Sequence, residues 1–183
     1  MKEVSVILVD KNDNQIGLMK KNEAHQKALL HRAISVFICN SKGEWLIQRR
    51  ALDKYHSSGL WTNTCCSHPL PNETSMDAAN RRLLEEMGLQ CKLNELFSFT
   101  YKEVLNNALT ENEFDHVFLG ITDTIPKINT NEVMEWKYIN YNDLLTEIKT
   151  NPNEYTVWFK KIVERVNQHL SNPKKVLHND KLH

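Results

Sequence analysis

The sequence predicts an α+β domain in which a mixed β-sheet core is flanked by helices. Two observations indicate this class. Short β-rich segments follow one another before the first clear helix, and two helical segments close the chain after a second run of strands. Since strands and helices do not alternate strictly, a doubly wound parallel sheet fits less well. A length of 183 residues suits one domain over 1–183, with a core of adequate size.

Charge and cysteine usage narrow the function classes. The chain has 23 Lys and Arg against 23 Asp and Glu residues, so its global field is close to neutral and attraction to nucleic acid or a membrane surface is not indicated. No stretch approaches the ~20 apolar residues of a membrane span, and the N-terminal apolar run is too short for a signal peptide. Four cysteines do not form a disulfide framework. We expect a cytoplasmic protein with reduced thiols, a monomer or weak homodimer that binds neither nucleic acid nor membrane.

Two hairpins are predicted before residue 50. The first joins Val4–Val9 to Ile16–Met19 through a polar turn. The second joins the β-rich runs Ala33–Cys39 and Trp45–Arg49 through a turn that ends in Gly43.

The segment from Thr74 to Gly88 predicts the clearest helix. Thr74 can cap its N-terminus, with Asp77 three residues later as in a capping box, and Gly88 can take the left-handed conformation that ends it. Arg82 and Glu86 are i, i+4 neighbours on a different face from the apolar stripe. That stripe consists of Met76, Ala79, Leu83 and Met87. The helix is therefore expected to pack through the stripe and to use the other face for function.

The rest of the chain predicts three strands followed by two helices. The strands are Cys91–Tyr101, Glu113–Thr122 and Val133–Ile139, with a hydrophilic loop over Asn106–Asn112. The helices are Tyr141–Lys149 and Glu154–Leu170. The polar segment 171–183 is expected to be a loosely ordered tail.

A thiol and an imidazole two residues apart, Cys66 and His68, form the most informative pair of the chain. If the segment around them is extended, both side chains project to the same side. One could bind a metal while the other handles protons. A buried structural thiol is the ordinary role of a cysteine, and we assign that role to the other three, Cys39, Cys65 and Cys91.

The spacing that follows this pair resembles a Nudix box. The pattern is Ser67-x5-Glu73-x7-Arg81-Arg82-Leu83-Leu84-Glu85-Glu86-Met87-Gly88-Leu89, against G-x5-E-x7-R-E-U-x-E-E-x-G-U. It departs at two places, because Ser67 replaces the opening Gly and Arg82 replaces the first Glu of the core. Nudix hydrolases gather several helix carboxylates around Mg2+ to cleave a diphosphate, so a cation at position 82 weakens the hydrolytic cluster.

Further motifs make the chain similar to one family within that superfamily, the type I isopentenyl-diphosphate isomerases. They are Leu30-His31-Arg32-Ala33 upstream, Cys66 and His68, and Glu111-Asn112-Glu113 downstream. The resemblance runs from about Lys21 to Trp158, and at least four separated motifs agree in order and spacing.

The resemblance implies a divalent-metal site with five ligands: His25, His31, His68, Glu111 and Glu113. Imidazoles with carboxylates suit Zn2+, Mn2+ or Mg2+. The two glutamates have the period-two spacing that directs both to one site from a strand. Taken alone, each His is more often a hydrogen-bonded or surface residue, and the acidic pair is more often an exposed strand edge.

The activity that the resemblance implies is interconversion of isopentenyl and dimethylallyl diphosphate by protonation and deprotonation. Cys66 and Glu113 match the family's catalytic pair, with Tyr101 hydrogen-bonded to the glutamate. Trp158 matches an aromatic residue beside the developing cation. On the sequence alone, a Trp in an apolar helix is more often plain core.

The diphosphate would be bound by cations and by a second metal ion. The family's phosphate-contacting positions are matched by Lys21, Arg50, Lys54, Ser67 and Arg82. Glu86 matches the ligand of a Mg2+ ion that bridges to the substrate. Two alternatives remain open: a Nudix pyrophosphohydrolase, which should retain a carboxylate at position 82, and a non-catalytic, metal-stabilised diphosphate-binding module.

Overall fold

The computed structural model describes residues 4–54, 56–105 and 109–171. Its strands are β1 (Ser5–Val9), β2 (Gln15–Lys20), β3 (His31–Cys39), β4 (Trp45–Arg50), β5 (Trp61–Thr62), β6 (Cys65–Ser67), β7 (Leu93–Val104), β8 (Thr110–Ile121) and β9 (Val133–Ile139). Its α-helices are α1 (Lys21–Gln26), α2 (Ser75–Met87), α3 (Tyr141–Thr150) and α4 (Val157–Ser171), with a short 3-10 helix at Pro152–Glu154.

The strands of this part of the chain form one mixed sheet, which confirms the predicted fold class. β3 and β8 are parallel and pair from His31 opposite Glu113 to Cys39 opposite Ile121. The other pairings, including β1 with β2, β4 with β9 and β7 with β8, are antiparallel. β3 lies at the centre, because β1, β4, β6 and β8 all pair with it.

Both faces of the sheet are covered, which explains why β3 is buried along nearly its whole length. Val36 and Ile38 belong to the core cluster that contains Leu83 of α2. Phe37 belongs to a second cluster, which contains Phe159 of α4. Successive side chains of a strand point to opposite faces, so α2 and α4 pack against opposite sides of the sheet.

Helix α2 begins and ends where its capping residues predict. The Thr74 hydroxyl oxygen accepts a hydrogen bond from the Asp77 backbone N–H at 3.1 Å. Gly88 is left-handed, with φ of 64°. A Cβ atom at Gly88 would lie 2.6 Å from the carbonyl oxygen of Lys127, so glycine is required there both by conformation and by the close approach of the chain.

The remaining predicted elements form, although β7 runs from Leu93 to Val104 rather than from Cys91 to Tyr101. Three further differences concern the site and its surroundings. β8 begins at Thr110, so the loop predicted through residue 112 is shorter, and Glu111 pairs with Glu103 of β7. The polar residues at the end of the predicted loop belong instead to a strand that lines the site. Helix α1 was not predicted because six residues carry too little periodicity. The last helix begins at Val157 rather than Glu154, because Tyr155 forms a β-bridge with Trp61.

The tail predicted at 171–183 lies outside the described residues except for Ser171, which ends α4. Within the described ranges, no helix combines the length and apolar character needed to cross a membrane.

Candidate active site and metal centre

Three neighbouring strands bring the site together around β3. Its first residue, His31, is paired with Glu113 of β8, and further along Ser35 is paired with Cys66 of β6. On β8, Glu111 and Glu113 are both buried on one face, as their period-two spacing predicts. Residues separated by up to 82 positions therefore meet in one place.

Four side chains form a cluster with the geometry of a metal site. His25, His31, His68 and Glu113 each offer one ligand atom, and these atoms lie within 4.8 Å of one another. The Nε2 atoms of His25 and His31 are 3.1 Å apart, and His68 Nε2 is 3.0 Å from Glu113 Oε1. His31 Nδ1 donates to the Leu29 carbonyl at 2.8 Å, so Nε2 is the ring nitrogen that faces the cluster.

Burial favours the neutral, metal-binding form of two histidines of this cluster, His25 and His68. Burial, followed by the neighbouring His68 and His31, lowers the pKa of His25 to about 2. Burial and the charge of Lys21 lower the pKa of His68 to about 4. Metal ligands must be unprotonated, and neutral imidazoles with a carboxylate suit a divalent ion. The donor set therefore fits the metal site that the sequence predicted.

Glu111, the fifth predicted ligand, is joined to the cluster through Tyr101. The Tyr101 hydroxyl is 2.6 Å from Glu113 Oε2 and 3.0 Å from Glu111 Oε2. Burial and the Glu113 charge raise the pKa of Glu111. Burial also raises the pKa of Glu113, but contacts with His31 and His68 outweigh it and hold that pKa well below its usual value. Because a tyrosine hydroxyl has one proton, Tyr101 can donate to only one of these carboxylates at a time, and Glu113 is the nearer acceptor.

An inner cavity of about 40 Å³ opens beside this cluster. It is lined by nine of the predicted site residues, Lys21, Arg50, Cys66, Ser67, His68, Tyr101, Glu111, Glu113 and Trp158. Three further residues that line it, Ile34, Ser35 and His56, were not predicted. The cavity therefore contains both members of the predicted catalytic pair.

The Cys66 side chain is a protonated thiol. Burial raises the pKa of Cys66 to about 12, although Arg50 opposes this shift, and Arg50 Nη1 lies 3.8 Å from the Cys66 sulfur. Trp158 Nε1 donates to the Thr62 hydroxyl oxygen at 3.0 Å, which fixes its indole ring. Trp158 is both a core residue and a wall of the cavity, so its burial in the core is compatible with a place in the predicted site.

A wider outer cavity of about 230 Å³ continues from the inner one, since both are lined by Lys21, Arg50, Cys66, Ser67 and His68. The outer cavity is also lined by Val4, Lys54, Leu70, Arg81, Arg82 and Glu132. All predicted phosphate-contacting residues thus line it. Burial and the charge of Arg50 lower the pKa of Lys21 to about 8, which is the response expected where cations are concentrated.

Glu86 is placed differently from the other predicted site residues. It is buried and lines neither cavity. Its Oε1 accepts hydrogen bonds from Arg82 at 2.6 and 3.0 Å, and its Oε2 accepts one from Gln48 Nε2 at 2.8 Å. These three hydrogen bonds occupy most of the roughly four acceptor positions of the carboxylate, so a Mg2+ ion at Glu86 would compete with them.

His56 is the functional candidate that sequence reasoning missed. Its Nε2 is 3.9 Å from Glu111 Oε1, and its ring meets that of Trp158 edge-on, with the centroids 6.0 Å apart. Burial and the charge of Arg50 lower its pKa to about 3. In the sequence, only the position of His56 between Lys54 and the Cys66 motif pointed to the site. Nothing in its spacing distinguished it from a surface histidine.

Comparisons with known proteins agree with this geometry. A family model described as NUDIX domain matches residues 29–161. A protein of Aromatoleum aromaticum named isopentenyl-diphosphate Delta-isomerase 2 is 49% identical over 164 residues, 90% of this chain and 87% of its own. A protein of the same name from Photorhabdus laumondii is 51% identical over 158 residues, 86% of this chain and 89% of its own.

Solved structures show the same fold at lower identity. A Deinococcus radiodurans protein superposes with a TM-score of 0.74 at 20% identity, covering 88% of this chain and 98% of its own. A MutT protein from Methanosarcina mazei has a TM-score of 0.64 at 18% identity, covering 76% of this chain and 94% of its own. At these identities the likeness concerns the fold alone.

Proposed function

Because the chain belongs to the isopentenyl-diphosphate Delta-isomerases of the NUDIX family, we propose that it performs this isomerisation in the inner cavity, with Cys66 and Glu113 as its proton-transfer groups. The reaction moves a carbon–carbon double bond between isopentenyl and dimethylallyl diphosphate. The observation that carries the proposal is one cavity lined by both a protonated thiol and an ionised carboxylate.

The two groups have complementary protonation states. A 1,3-allylic rearrangement adds a proton to one carbon and removes a proton from another, so two groups must act on one allylic unit. The Cys66 thiol retains its proton at neutral pH, whereas Glu113 is a carboxylate hydrogen-bonded to Tyr101. The face of Trp158 attracts the positive charge that develops between them, by ~0.5–2 kcal/mol.

The His/Glu cluster would hold one divalent ion through His25, His31, His68, Glu111 and Glu113. Such an ion supplies positive charge that stabilises the ionised form of the neighbouring carboxylates. Zn2+, Mn2+ and Mg2+ all suit this donor set. His31 is oriented for this role by its hydrogen bond to Leu29, and Tyr101 orients both carboxylates.

The diphosphate would occupy the outer cavity, where cations are concentrated. Lys21, Arg50, Lys54 and Arg82 supply the charge, and Ser67 supplies a hydroxyl. We retain Mg2+ at Glu86 as part of the proposal, where the ion would compete with the hydrogen bonds from Arg82 and Gln48. The cytoplasmic location and the monomer or weak homodimer also stay predictions.

The hydrolase alternative is disfavoured by the position of Arg82. Its guanidinium makes ion pairs with Glu85, Glu86 and Glu132, where a hydrolase of this fold would have one more carboxylate for Mg2+. A module that only binds diphosphate has no need of a thiol beside Glu113.

The variant Arg82→Glu tests the hydrolase alternative. We expect a raised KM for isomerisation and no useful phosphate release from nucleoside diphosphate compounds.

Cys66→Ala tests the proposal, with Cys65→Ala as the matched control. Conversion of isopentenyl diphosphate is followed by NMR with purified, metal-loaded protein. We expect Cys66→Ala to lower kcat about 10³-fold, because a proton-transfer group is lost, while affinity for substrate is kept. Cys65 is fully buried in the core cluster that contains Leu83 of α2, and its variant should retain most activity. Equal activity of the two variants would show that Cys66 is not a proton-transfer group.

A further inference from the structure

Glu132 is a carboxylate in the outer cavity that no motif of the sequence singled out. It directly precedes β9, and its side chain is 25% exposed. Its Oε2 receives an ion pair from Lys54 Nζ and another from Arg82 Nη2, the latter at 3.0 Å. One oxygen atom is therefore shared by two cations that are assigned to the diphosphate.

The backbone holds this carboxylate between two elements of the site. The Glu132 N–H donates to the Asn129 carbonyl at 2.9 Å, and its own carbonyl accepts from Ala51 N–H at 3.0 Å. Asn129 N–H in turn donates to the Glu86 carbonyl at 2.9 Å. Glu132 is thus anchored both to the segment after β4, which carries Lys54, and to helix α2, which carries Arg82.

The charge of Glu132 is maintained at neutral pH. Burial raises its pKa, but the hydrogen bond from Lys54 and the charges of Arg82 and Lys54 outweigh burial and hold the pKa below its usual value. An ionised carboxylate in this place repels a polyanion. It also occupies N–H groups through which Lys54 and Arg82 would bind phosphate oxygens.

The donors of Arg82 show how direct this competition is. Its Nη2 has two protons, one directed to Glu86 at 2.6 Å and one to Glu132 at 3.0 Å. Glu86 lines neither cavity, whereas Glu132 lines the outer one. The Nη2 proton that is directed into the outer cavity is therefore the one that Glu132 accepts.

We propose that Glu132 is an internal counter-ion that orders Lys54 and Arg82 in the absence of substrate and is displaced from them when a diphosphate binds. This inference rests on the proposed diphosphate site. Substrate and product carry the same diphosphate, so a counter-ion weakens the binding of both equally and limits retention of the product. Glu132 is a positioning residue and takes no part in proton transfer.

The test compares Glu132→Gln with Glu135→Gln in the full chain, with inorganic pyrophosphate and Mg2+ as the probe in titration calorimetry. Glutamine keeps the shape and one hydrogen-bond acceptor but removes the charge. We expect Glu132→Gln to bind pyrophosphate about five- to tenfold more tightly, since a like charge in the cavity is removed. Glu135 lies three residues further along, in β9, pairs with Arg49 and is 47% exposed, so its variant should bind as the unmodified protein does.

Two further measurements separate the possible failures. Glu132→Asp keeps the charge, so its pyrophosphate affinity should stay close to that of the unmodified protein if charge is the cause. Two outcomes would overturn the counter-ion role and leave the diphosphate site intact. One is unchanged or weaker pyrophosphate binding by a folded Glu132→Gln variant. The other is a change of affinity in Glu132→Asp as large as that in Glu132→Gln. If the unmodified protein does not bind pyrophosphate, the proposed diphosphate site fails together with the inference.

Discussion

Opposite faces of strand β8 carry two clusters built from the same residue types, histidines and carboxylates. The inner cluster consists of His25, His31, His68 and Glu113. The outer cluster consists of His116, Glu95 and Asp13. His116 Nδ1 lies 2.7 Å from the Glu95 carboxylate, and His116 Nε2 lies 3.0 Å from the Asp13 carboxylate. His116 is three residues from Glu113 along the strand, so the pleat directs the two side chains to different faces.

The two clusters shift the pKa values of their histidines in opposite directions. Burial lowers the pKa of His116, but its hydrogen bond to Glu95 and the charges of Glu95 and Asp13 outweigh burial and raise it. In the inner cluster, burial and neighbouring imidazoles lower the pKa of His25 and His68. The ratio of imidazoles to carboxylates, together with burial, therefore decides whether the pKa of a histidine falls, which favours metal binding, or rises, which favours an ion pair.

The largest expected difference between the clusters is in metal content. His68→Ala removes one of the ligands of the inner cluster, so we expect loss of most bound metal and of isomerisation. His116→Ala should keep full metal content and most activity, because its ring faces away from the site. Elemental analysis of both purified variants checks this. Full occupancy in His68→Ala would contradict the assignment of the inner cluster as a metal site.

Removal of the metal from the unmodified protein extends this test. A chelator should abolish isomerisation, and addition of the divalent ion should restore it. Because a ligand that binds only the folded state stabilises it by about 2.7 kcal/mol at a concentration 100 times its Kd, the melting temperature should also fall on chelation. A chelator that changes neither quantity would remove the metal from the proposal.

The pH dependence of stability should differ in sign between the clusters, with the larger effect inside. His25 has a folded-state pKa of about 2 against an ordinary value of 6.5. Below pH 6.5 the unfolded chain therefore binds a proton that the folded protein does not, and stability falls as the pH falls. The metal-free unmodified protein should therefore have a larger free energy of unfolding at pH 8 than at pH 5. In metal-free His25→Gln this difference should be smaller by about 1–2 kcal/mol. Urea unfolding at the two pH values measures it.

The outer histidine should show the smaller effect and the opposite sign. The pKa of His116 is raised in the folded state, so its contribution is fully present below the ordinary value of 6.5 and is lost as the pH rises through the folded-state pKa. His116→Gln should therefore destabilise the protein at pH 5 more than at pH 8, by less than about 1 kcal/mol, since the pair is partly exposed. The same unfolding series measures it, and equal destabilisation at both pH values would count against a charged His116.

The elements whose determinants are local could be predicted from the sequence. Thr74 and Gly88 delimit α2 through hydrogen bonds and backbone geometry within a few residues of each end. The early hairpins follow from alternation and turn chemistry. Glu111 and Glu113 share a face because a strand has period two, although the start of β8 was placed three residues too late.

Features that depend on distant partners could not be predicted. Glu86 was expected on a functional face, but Gln48, 38 residues away, and Arg82 hold it in the interior. Glu132 meets Arg82 across 50 residues and Lys54 across 78. His56 enters the cavity through a loop whose course no periodicity describes.

The sequence by itself determined the family, the mixed sheet and the identity of the cluster of thiol, imidazole and carboxylate groups, because periodicity, capping and motif spacing are written along the chain. The tertiary structure decided which of these groups are charged. A pKa depends on burial and on every charge nearby, and those neighbours come together only when β3, β6 and β8 pair. That is why Cys66 keeps its proton and the pKa values of His25 and His68 are lowered, whereas the pKa of His116 is raised.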